Sequence, residues 1–124
     1  MGKFNRFEDI EAWKKARNLA GEVYSVTGKT FFARDFALKD QLRRAAISTM
    51  LNIAEGSARR TDREFSQFLF IAIGSLAEMQ SAFYIALDQQ YIDNQKFKML
   101  YDQAGEIGRM LSGLIRYLRR NRTL

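Results

Sequence analysis

Apolar residues recur at the 3.6-residue period of an α-helix in four segments of the chain, whereas the alternation typical of a β-strand never persists beyond a few residues. The pattern predicts four helices: Glu8 to Thr27, Asp35 or Lys39 to Glu55, Asp62 to Gln90, and Asn94 to Arg120. All connections but the first are short, which favours antiparallel neighbours. The sequence therefore predicts an all-α fold, an antiparallel up-down-up-down four-helix bundle that forms a single domain over residues 1–124.

The second and third predicted helices are joined within the segment NIAEGSARRTDREF. Gly56 is expected to end the second helix in the left-handed conformation, which glycine reaches without a Cβ penalty. Thr61 and Glu64 have the spacing of a capping box: the Thr61 hydroxyl would accept the Glu64 amide hydrogen, and the Glu64 carboxylate would accept the Thr61 amide hydrogen. The third helix is therefore expected to begin just after Thr61.

The third predicted helix has no polar face. From Phe65 to Leu87, sixteen of twenty-three residues are apolar, and Glu78 is the only charged one. Such a helix is buried on all sides, whereas each helix of a small bundle normally keeps one face in water. Residues 28–37 would cover only part of it, and its polar interruptions disfavour lipid. We expect a homo-oligomer, in which the following residues are divided between the core and the subunit contact: Phe68, Phe70, Ile71, Phe83, Tyr84 and Ile85.

Small residues recur along the fourth predicted helix. Ala104, Gly108 and Ser112 are four residues apart, and Gly105 and Gly113 flank them. Glycine inside a helix is less favourable than alanine by about 1 kcal/mol, so three glycines in one helix imply a packing reason. The spacing predicts a close approach of a neighbouring helix, and local irregularity of the helix is the alternative.

The chain contains no cysteine and no histidine. Disulfides, thiolate chemistry, Cys/His zinc sites and Ser-His triads are thereby excluded. Without histidine, the helix glutamates lack the pattern of a di-iron site, and no glycine-rich phosphate loop joins a strand to a helix. We expect a protein that is not an enzyme and that binds no metal or cofactor. The missing cysteines and the charged N-terminal segment favour a cytoplasmic protein.

The chain is basic, with a formal net charge of +6 and thirteen arginines against seven lysines. The planar guanidinium suits phosphate and carboxylate, so the bias toward arginine favours a polyanion or an acidic protein as partner. No acid follows Glu106, and the two clusters of arginines should lie at the same pole of an up-down bundle. The predicted nucleic-acid contacts are Arg59, Arg60, Arg63, Arg116, Arg119, Arg120 and Arg122. The alternative is that these arginines are only solvated and bind no partner.

The remaining charged residues are expected to stabilise the fold. Arg44, in the second helix, would pair with Glu78 or Glu106 across the bundle, and Arg109 would pair with Glu106 one turn away. Glu55 is expected to anchor the end of the second helix. These ion pairs are predicted to be structural.

Five segments follow one another along the chain: FEDIEAWKKA, QLRRAAIS, NIAEGSARRTDREF, FLFIAIGSLAEM and EIGRMLSGLIRYLRR. In this order they resemble the four-helix-bundle proteins encoded within bacterial 23S ribosomal RNA intervening sequences. The resemblance implies a closed ring of protomers, typically a pentamer. The tail EIGRMLSGLIRYLRRN is similar to the accessory variability proteins of diversity-generating retroelements, which associate with a reverse transcriptase and its RNA. Thr49, Met50 and Leu51 depart from the proline-containing stretch more common in the family, so the second helix should be straighter here.

Two functional hypotheses follow. The first is a non-enzymatic basic homo-oligomer that binds RNA or single-stranded nucleic acid through backbone phosphates, with little base readout. The second is a protein-interaction scaffold, for example an accessory subunit of a reverse transcriptase. Purified protein that carries nucleic acid, seen as high absorbance at 260 nm, would favour the first.

Overall fold

The structure is a computed structural model that describes residues 4–122, with side chains up to residue 120. A 3₁₀ turn at Phe7–Asp9 precedes five helices: α1 (Glu11–Thr27), α2 (Thr30–Arg34), α3 (Phe36–Ser57), α4 (Asp62–Asp88) and α5 (Asn94–Arg122). The described residues form no strand, so the all-α prediction is confirmed. The four long helices match the four predicted ones, and the short helix α2 was not predicted.

The first helix begins later than the sequence predicts. Ile10 has extended backbone angles, φ −78° and ψ 119°, and separates the 3₁₀ turn from α1. The Ile10 side chain is buried, and the ring of Phe7 lies 5.0 Å from the ring of Trp13. The predicted start at Glu8 is therefore wrong, because the chain bends at Ile10 to bury an apolar side chain.

Helix α4 packs between α3 and α5. The Ser75 hydroxyl of α4 donates to the Ser48 hydroxyl of α3 over 2.8 Å. On the other side, the Gln80 amide donates to the Tyr101 carbonyl of α5 over 3.3 Å. The largest fully buried side chains are Phe32, Phe65, Phe83, Leu19, Leu42, Ile53, Leu69, Met79, Leu100, Ile107, Leu111 and Leu118. The core thus draws on every helix.

Arg43 ties α3 to the C-terminal end of α1. Its Nε donates to the buried Thr27 hydroxyl over 2.9 Å, and its guanidinium lies 4.3 Å from the centre of the Tyr24 ring. A terminal nitrogen of the same group donates to the Tyr24 carbonyl over 3.4 Å, and this carbonyl also accepts the Gly28 amide hydrogen over 3.2 Å. The role of Arg43 is structural.

Gly56 lies inside α3 and does not adopt the left-handed conformation, so that prediction is wrong. Helix α3 continues to Ser57, and its C-cap Ala58 is right-handed, with φ −88°. A Cβ on Gly56 would lie 2.8 Å from the Phe68 Cβ and 2.9 Å from Cδ1 of Phe65. Glycine stands there because α4 crosses α3 too closely for any side chain.

The left-handed residue is instead Gln90, with φ 64°. Its amide donates to the Leu87 carbonyl, and the next amide, of Tyr91, donates to the Ala86 carbonyl, both over 2.9 Å. These two bonds form a Schellman motif, which ends a helix through one left-handed residue. A non-glycine residue therefore holds the position at the end of α4 that glycine usually takes.

Gln90→Gly should stabilise the protein by about 0.5 to 1 kcal/mol, because glycine removes the Cβ strain of the left-handed conformation. Urea unfolding at constant protein concentration measures the change. Gln89→Gly is the matched control: the Gln89 φ of −83° is right-handed, so this variant should lose stability. Equal effects of the two substitutions would contradict the account.

Residues 28–37 do not form the cover for α4 that the sequence suggested. Phe32 of α2 is buried and stacks on Tyr91, with 4.9 Å between the ring centres. Phe31 and Phe36 remain two-thirds exposed. The Tyr91 hydroxyl donates to the Asp35 carboxylate over 3.0 Å, and this hydrogen bond raises the pKa of Tyr91. The segment therefore closes one end of the bundle.

Candidate nucleic-acid interface

The turn between α3 and α4 carries three predicted contact residues, and one of them is already engaged. Arg59 forms an ion pair of 2.6 Å with Glu55, and its guanidinium lies 4.6 Å from the centre of the Phe68 ring. Arg60 and Arg63 are exposed, with no carboxylate within ion-pair distance among the described residues. Glu55, near the end of α3, is the carboxylate that pairs with Arg59.

The same turn is electrically balanced. Asp62 and Glu64 lie in the first turn of α4, and together with Glu55 they match the three arginines in charge. The Thr61 hydroxyl accepts the Glu64 amide hydrogen over 3.1 Å, which is the first half of the predicted capping box. The second half differs: the hydroxyl donates to the Glu64 carboxylate over 3.2 Å. This turn is therefore a weaker anion site than its arginines alone suggest.

Every charged residue in the second half of α5 is an arginine. No acidic residue follows Glu106, whereas Arg109, Arg116 and Arg119 are exposed. Within residues 4–120, no carboxylate lies within ion-pair distance of any of these three guanidiniums. Arg120 is also exposed, and the Arg122 side chain lies outside the described residues.

The structure contradicts the ion pairs predicted for α5. Glu106 faces α1, where its carboxylate lies 3.8 Å from the Lys15 ammonium. Arg109 lies beside Gly105, toward Gln80 of α4, and takes no part in that pair. The two side chains diverge because α1 and α4 pack on different sides of α5. Arg109 is therefore one of the basic candidates and not part of a structural ion pair.

Two further predicted ion pairs are not formed. Arg44 and Glu78 are both exposed, and in the described part of the chain neither has an oppositely charged partner within ion-pair distance. Arg44 points into solvent because its neighbour Arg43 takes the position against α1. The pairing of Arg44 with Glu78 or Glu106 is wrong.

A groove of about 380 Å³ runs between α4 and α5. Arg109 and Arg116 line it on α5, and Gln80 lines it on α4. No acidic residue is among its lining side chains, which are otherwise apolar or small: Ile73, Leu76, Ala77, Ala104, Gly105, Gly108 and Ser112. The groove therefore presents cationic side chains above an uncharged floor.

Ala104, the first of these small residues, is buried where α4 and α5 pack, whereas Gly105 and Gly108 lie in the floor of the groove. A Cβ on Gly108 would meet nothing within 4 Å. A Cβ on Gly105 would meet only side-chain ends, Nη1 of Arg109 and Nε2 of Gln80, both at 3.4 Å. Helix α5 is continuous, so neither close approach within the chain nor irregularity explains these glycines.

Three aromatic rings lie beyond the Gln80 end of the groove. The Tyr84 ring centre is 4.8 Å from that of Phe97 and 5.8 Å from that of Tyr101, and Tyr84 remains half exposed. Gln80, which lines the groove, also donates to the Tyr101 carbonyl. The aromatic cluster (Tyr84, Phe97 and Tyr101) and the groove are therefore neighbours on the same pair of helices.

The apolar side chains predicted at the subunit contact divide as follows. Phe83 is 1% exposed, so it belongs to the core and not to the subunit contact. Phe68 is half-buried beneath Arg59. The other four are about half exposed: Phe70 53%, Ile71 52%, Tyr84 50% and Ile85 49%.

By its length and composition, α4 could also cross a membrane, but the core helices of soluble proteins meet the same criteria.

No group of acidic side chains placed to hold a metal ion occurs in the described part of the chain.

Residues 8–113 match the family model described as 23S rRNA-intervening sequence protein. Among solved structures, the chain is similar to a protein of unknown function from the S23 ribosomal protein family of Bacteroides thetaiotaomicron, with a TM-score of 0.76 and 18% identity. That similarity covers 84% of this chain and 97% of the other, and at this identity it shows the fold alone. No curated protein matches the sequence. The similarity to accessory variability proteins stays a prediction.

Proposed function

Because the chain belongs to the 23S rRNA-intervening sequence protein family, we propose that it is a non-enzymatic, cytoplasmic RNA-binding protein that contacts backbone phosphates. Other single-stranded nucleic acids would bind in the same way. The observation that carries the proposal is the uncompensated arginine row of α5: Arg109, Arg116 and Arg119 are exposed without a carboxylate partner among the described residues.

Physical chemistry favours phosphate as the partner of this row. Cations in the last turn of a helix are stabilised by its macrodipole, which accounts for residues near Arg122 but not for Arg109 or Arg116. Like charges repeated along one helix repel one another, and an anion relieves that repulsion. Phosphates accept two hydrogen bonds from one guanidinium, whereas sequence readout would require contacts to base edges. Binding should therefore be strong at low salt and weakly sequence-specific.

The proposed assembly is a ring of up-down-up-down four-helix bundles, a homopentamer by resemblance to the family. The half-exposed apolar side chains of α4 support a contact between subunits, and Leu51 on α3 is a further exposed apolar side chain, at 62%. In a ring, the arginine row recurs around the axis. Several weak phosphate contacts then act together and raise the avidity for a long RNA.

Arg109→Gln, Arg116→Gln and Arg119→Gln, combined in one variant, should lower the affinity for RNA by at least about tenfold and flatten its salt dependence. Each lost phosphate contact removes about 0.7 from the slope of log K against log salt for a single strand, so the slope should fall by about 2. Fluorescence anisotropy with a labelled oligouridylate over a salt series measures both quantities.

The matched control changes three exposed cations elsewhere: Arg17→Gln, Lys29→Gln and Arg34→Gln. It lowers the net charge equally, so an equal effect would show that only total charge matters and would contradict a site on α5. A wild-type protein that shows no salt-dependent binding and carries no 260 nm absorbance would remove the RNA-binding proposal. An acidic protein partner, such as a reverse transcriptase, would then replace RNA, because a guanidinium binds carboxylates with the same geometry.

A further inference from the structure

The α4–α5 groove and the aromatic cluster form one continuous surface. On α5, Tyr101, Gly105, Gly108, Ser112 and Arg116 are spaced by three or four residues, the spacing of one face of a helix. On α4, the facing residues Tyr84, Gln80, Ala77 and Ile73 have the same spacing. Rings therefore stand at one end of this surface, and two uncompensated guanidiniums stand along the rest of it.

We infer that this surface is a binding track for single-stranded RNA, in which a base stacks on the half-exposed ring of Tyr84 while Arg109 and Arg116 bind phosphates. The inference rests on the proposed function and deepens it, since it names the site and the strandedness of the ligand. Single-stranded nucleic acids are bound in general by a positively charged groove with aromatic side chains on which bases stack. Both elements are present here, on adjacent helices.

The dimensions suit a short strand. Arg109 and Arg116 are seven residues apart, which is about 10 Å along a helix. A stacked strand advances about 3.4 Å per nucleotide, so the two guanidiniums are about three nucleotides apart. Tyr101 precedes Arg116 by fifteen residues, or about 22 Å. The whole track therefore accommodates about six or seven nucleotides of a stacked strand.

The floor of the track favours a strand over a duplex. Gly105 and Gly108 have no Cβ, so a sugar-phosphate backbone can approach the helix closely. The rings can stack only on a base that has left its own stack, which a paired strand does not offer. No acidic side chain lines the groove, so a phosphate placed there meets no repelling charge. These features together favour an unpaired, anionic ligand.

Tyr84 belongs to the track and not to the proposed subunit contact. Its ring lies against Phe97 and Tyr101 of α5. Ile85 is the next residue, about 100° further around α4, and therefore projects away from that side. The half-exposed apolar face of α4 thus has two parts: Tyr84 belongs to the track, and Ile71 and Ile85 remain available for another subunit.

Tyr84→Leu tests the stacking step. Loss of one stacked base should weaken binding of a labelled twelve-nucleotide oligouridylate by about tenfold, within the range that alanine substitutions of stacking residues produce. The salt slope should not change, because no phosphate contact is removed. Heparin, a polyanion without bases, should bind the variant as it binds the wild type. Phe31→Leu is the matched control, since Phe31 is an exposed aromatic of α2 that belongs neither to the groove lining nor to the aromatic cluster.

Gly108→Leu tests the track by obstruction. A Cβ at this position meets nothing within 4 Å, so the variant should fold, which circular dichroism checks. The leucine would occupy the floor between Arg109 and Ser112 and should weaken oligouridylate binding at least tenfold. A duplex RNA of equal length should bind the wild type more weakly than the single strand.

The combined results distinguish a failure of the track from a failure of the proposed function. If Tyr84→Leu and Gly108→Leu leave the affinity unchanged while the triple arginine variant lowers it, the track is overturned and RNA binding through exposed arginines stands. If the wild type binds no RNA at all, the proposed function fails together with the track. Binding of an acidic helical peptide in place of oligouridylate, abolished by Gly108→Leu, would assign the groove to a protein partner and overturn the inference.

Discussion

Gly56→Ala should destabilise the protein by about 2 kcal/mol. The alanine Cβ would lie 2.8 Å from the Phe68 Cβ, 2.9 Å from Cδ1 of Phe65 and 3.2 Å from the Phe65 carbonyl oxygen. Atoms held by the backbone of α4 cannot yield as the end of a flexible side chain can. Overpacking of this kind typically costs about 1 to 3 kcal/mol, and a clash with two residues at once belongs at the upper end.

Helix propensity opposes this loss without cancelling it. Alanine is better than glycine in a helix interior by about 1 kcal/mol, and less near a helix end, where Gly56 lies. The net loss should lower the thermal midpoint by roughly 6 to 10 °C for a domain of this size. Urea unfolding and a thermal scan at fixed protein concentration measure it.

Gly21→Ala is the matched control for this experiment. Gly21 lies inside α1, is exposed, and a Cβ on it would meet nothing within 4 Å. Only helix propensity then changes, so the variant should gain up to about 1 kcal/mol. A Gly56→Ala variant as stable as Gly21→Ala would show that α3 and α4 can separate freely, contrary to the packing described here.

Ile71→Glu combined with Ile85→Glu should convert the proposed oligomer into monomers. Each isoleucine is about half exposed on α4, so a subunit contact there would bury the rest of both side chains. A carboxylate buried at such a contact without a partner costs several kcal/mol. In a ring every protomer takes part in two contacts, so the penalty recurs around the assembly.

Sedimentation equilibrium at micromolar concentration measures the mass of the assembly. The double variant should sediment as a 14.4 kDa monomer and retain its helical circular dichroism, because half-exposed positions tolerate glutamate. Phe31→Glu, which changes a more exposed apolar residue of α2, should keep the wild-type mass. A monomeric wild type, or a double variant of unchanged mass, would remove α4 from the proposed subunit contact.

Local sequence chemistry predicted the helices well. Asp62, the start of α4, and Asn94, the start of α5, are both confirmed, because a capping residue and the apolar period act within one or two turns. Thr61 caps α4 as expected. Short-range patterns of this kind depend on few partners, and most of those partners are near in sequence.

Long-range packing explains the predictions that are wrong. Gly56 was expected to supply a left-handed turn, but its role depends on Phe65 and Phe68 of the next helix. Arg109 does not pair with Glu106 for the same reason, because the Glu106 carboxylate pairs with Lys15 of α1. A charged side chain has several candidates within reach of its helix, and only the packed structure selects one.

The amino-acid sequence by itself determined the helical class, the number of long helices and the excess of arginine, because each depends on residue type and on spacing along the chain. Tertiary structure decided which side of an almost wholly apolar α4 is buried: Phe83 faces the core, whereas its neighbours Tyr84 and Ile85 are half exposed. It also decided that Arg109 and Arg116 share a groove without acids. Successive helix positions differ by about 100° in direction, so only the packing of the neighbouring helices determines which of them face inward.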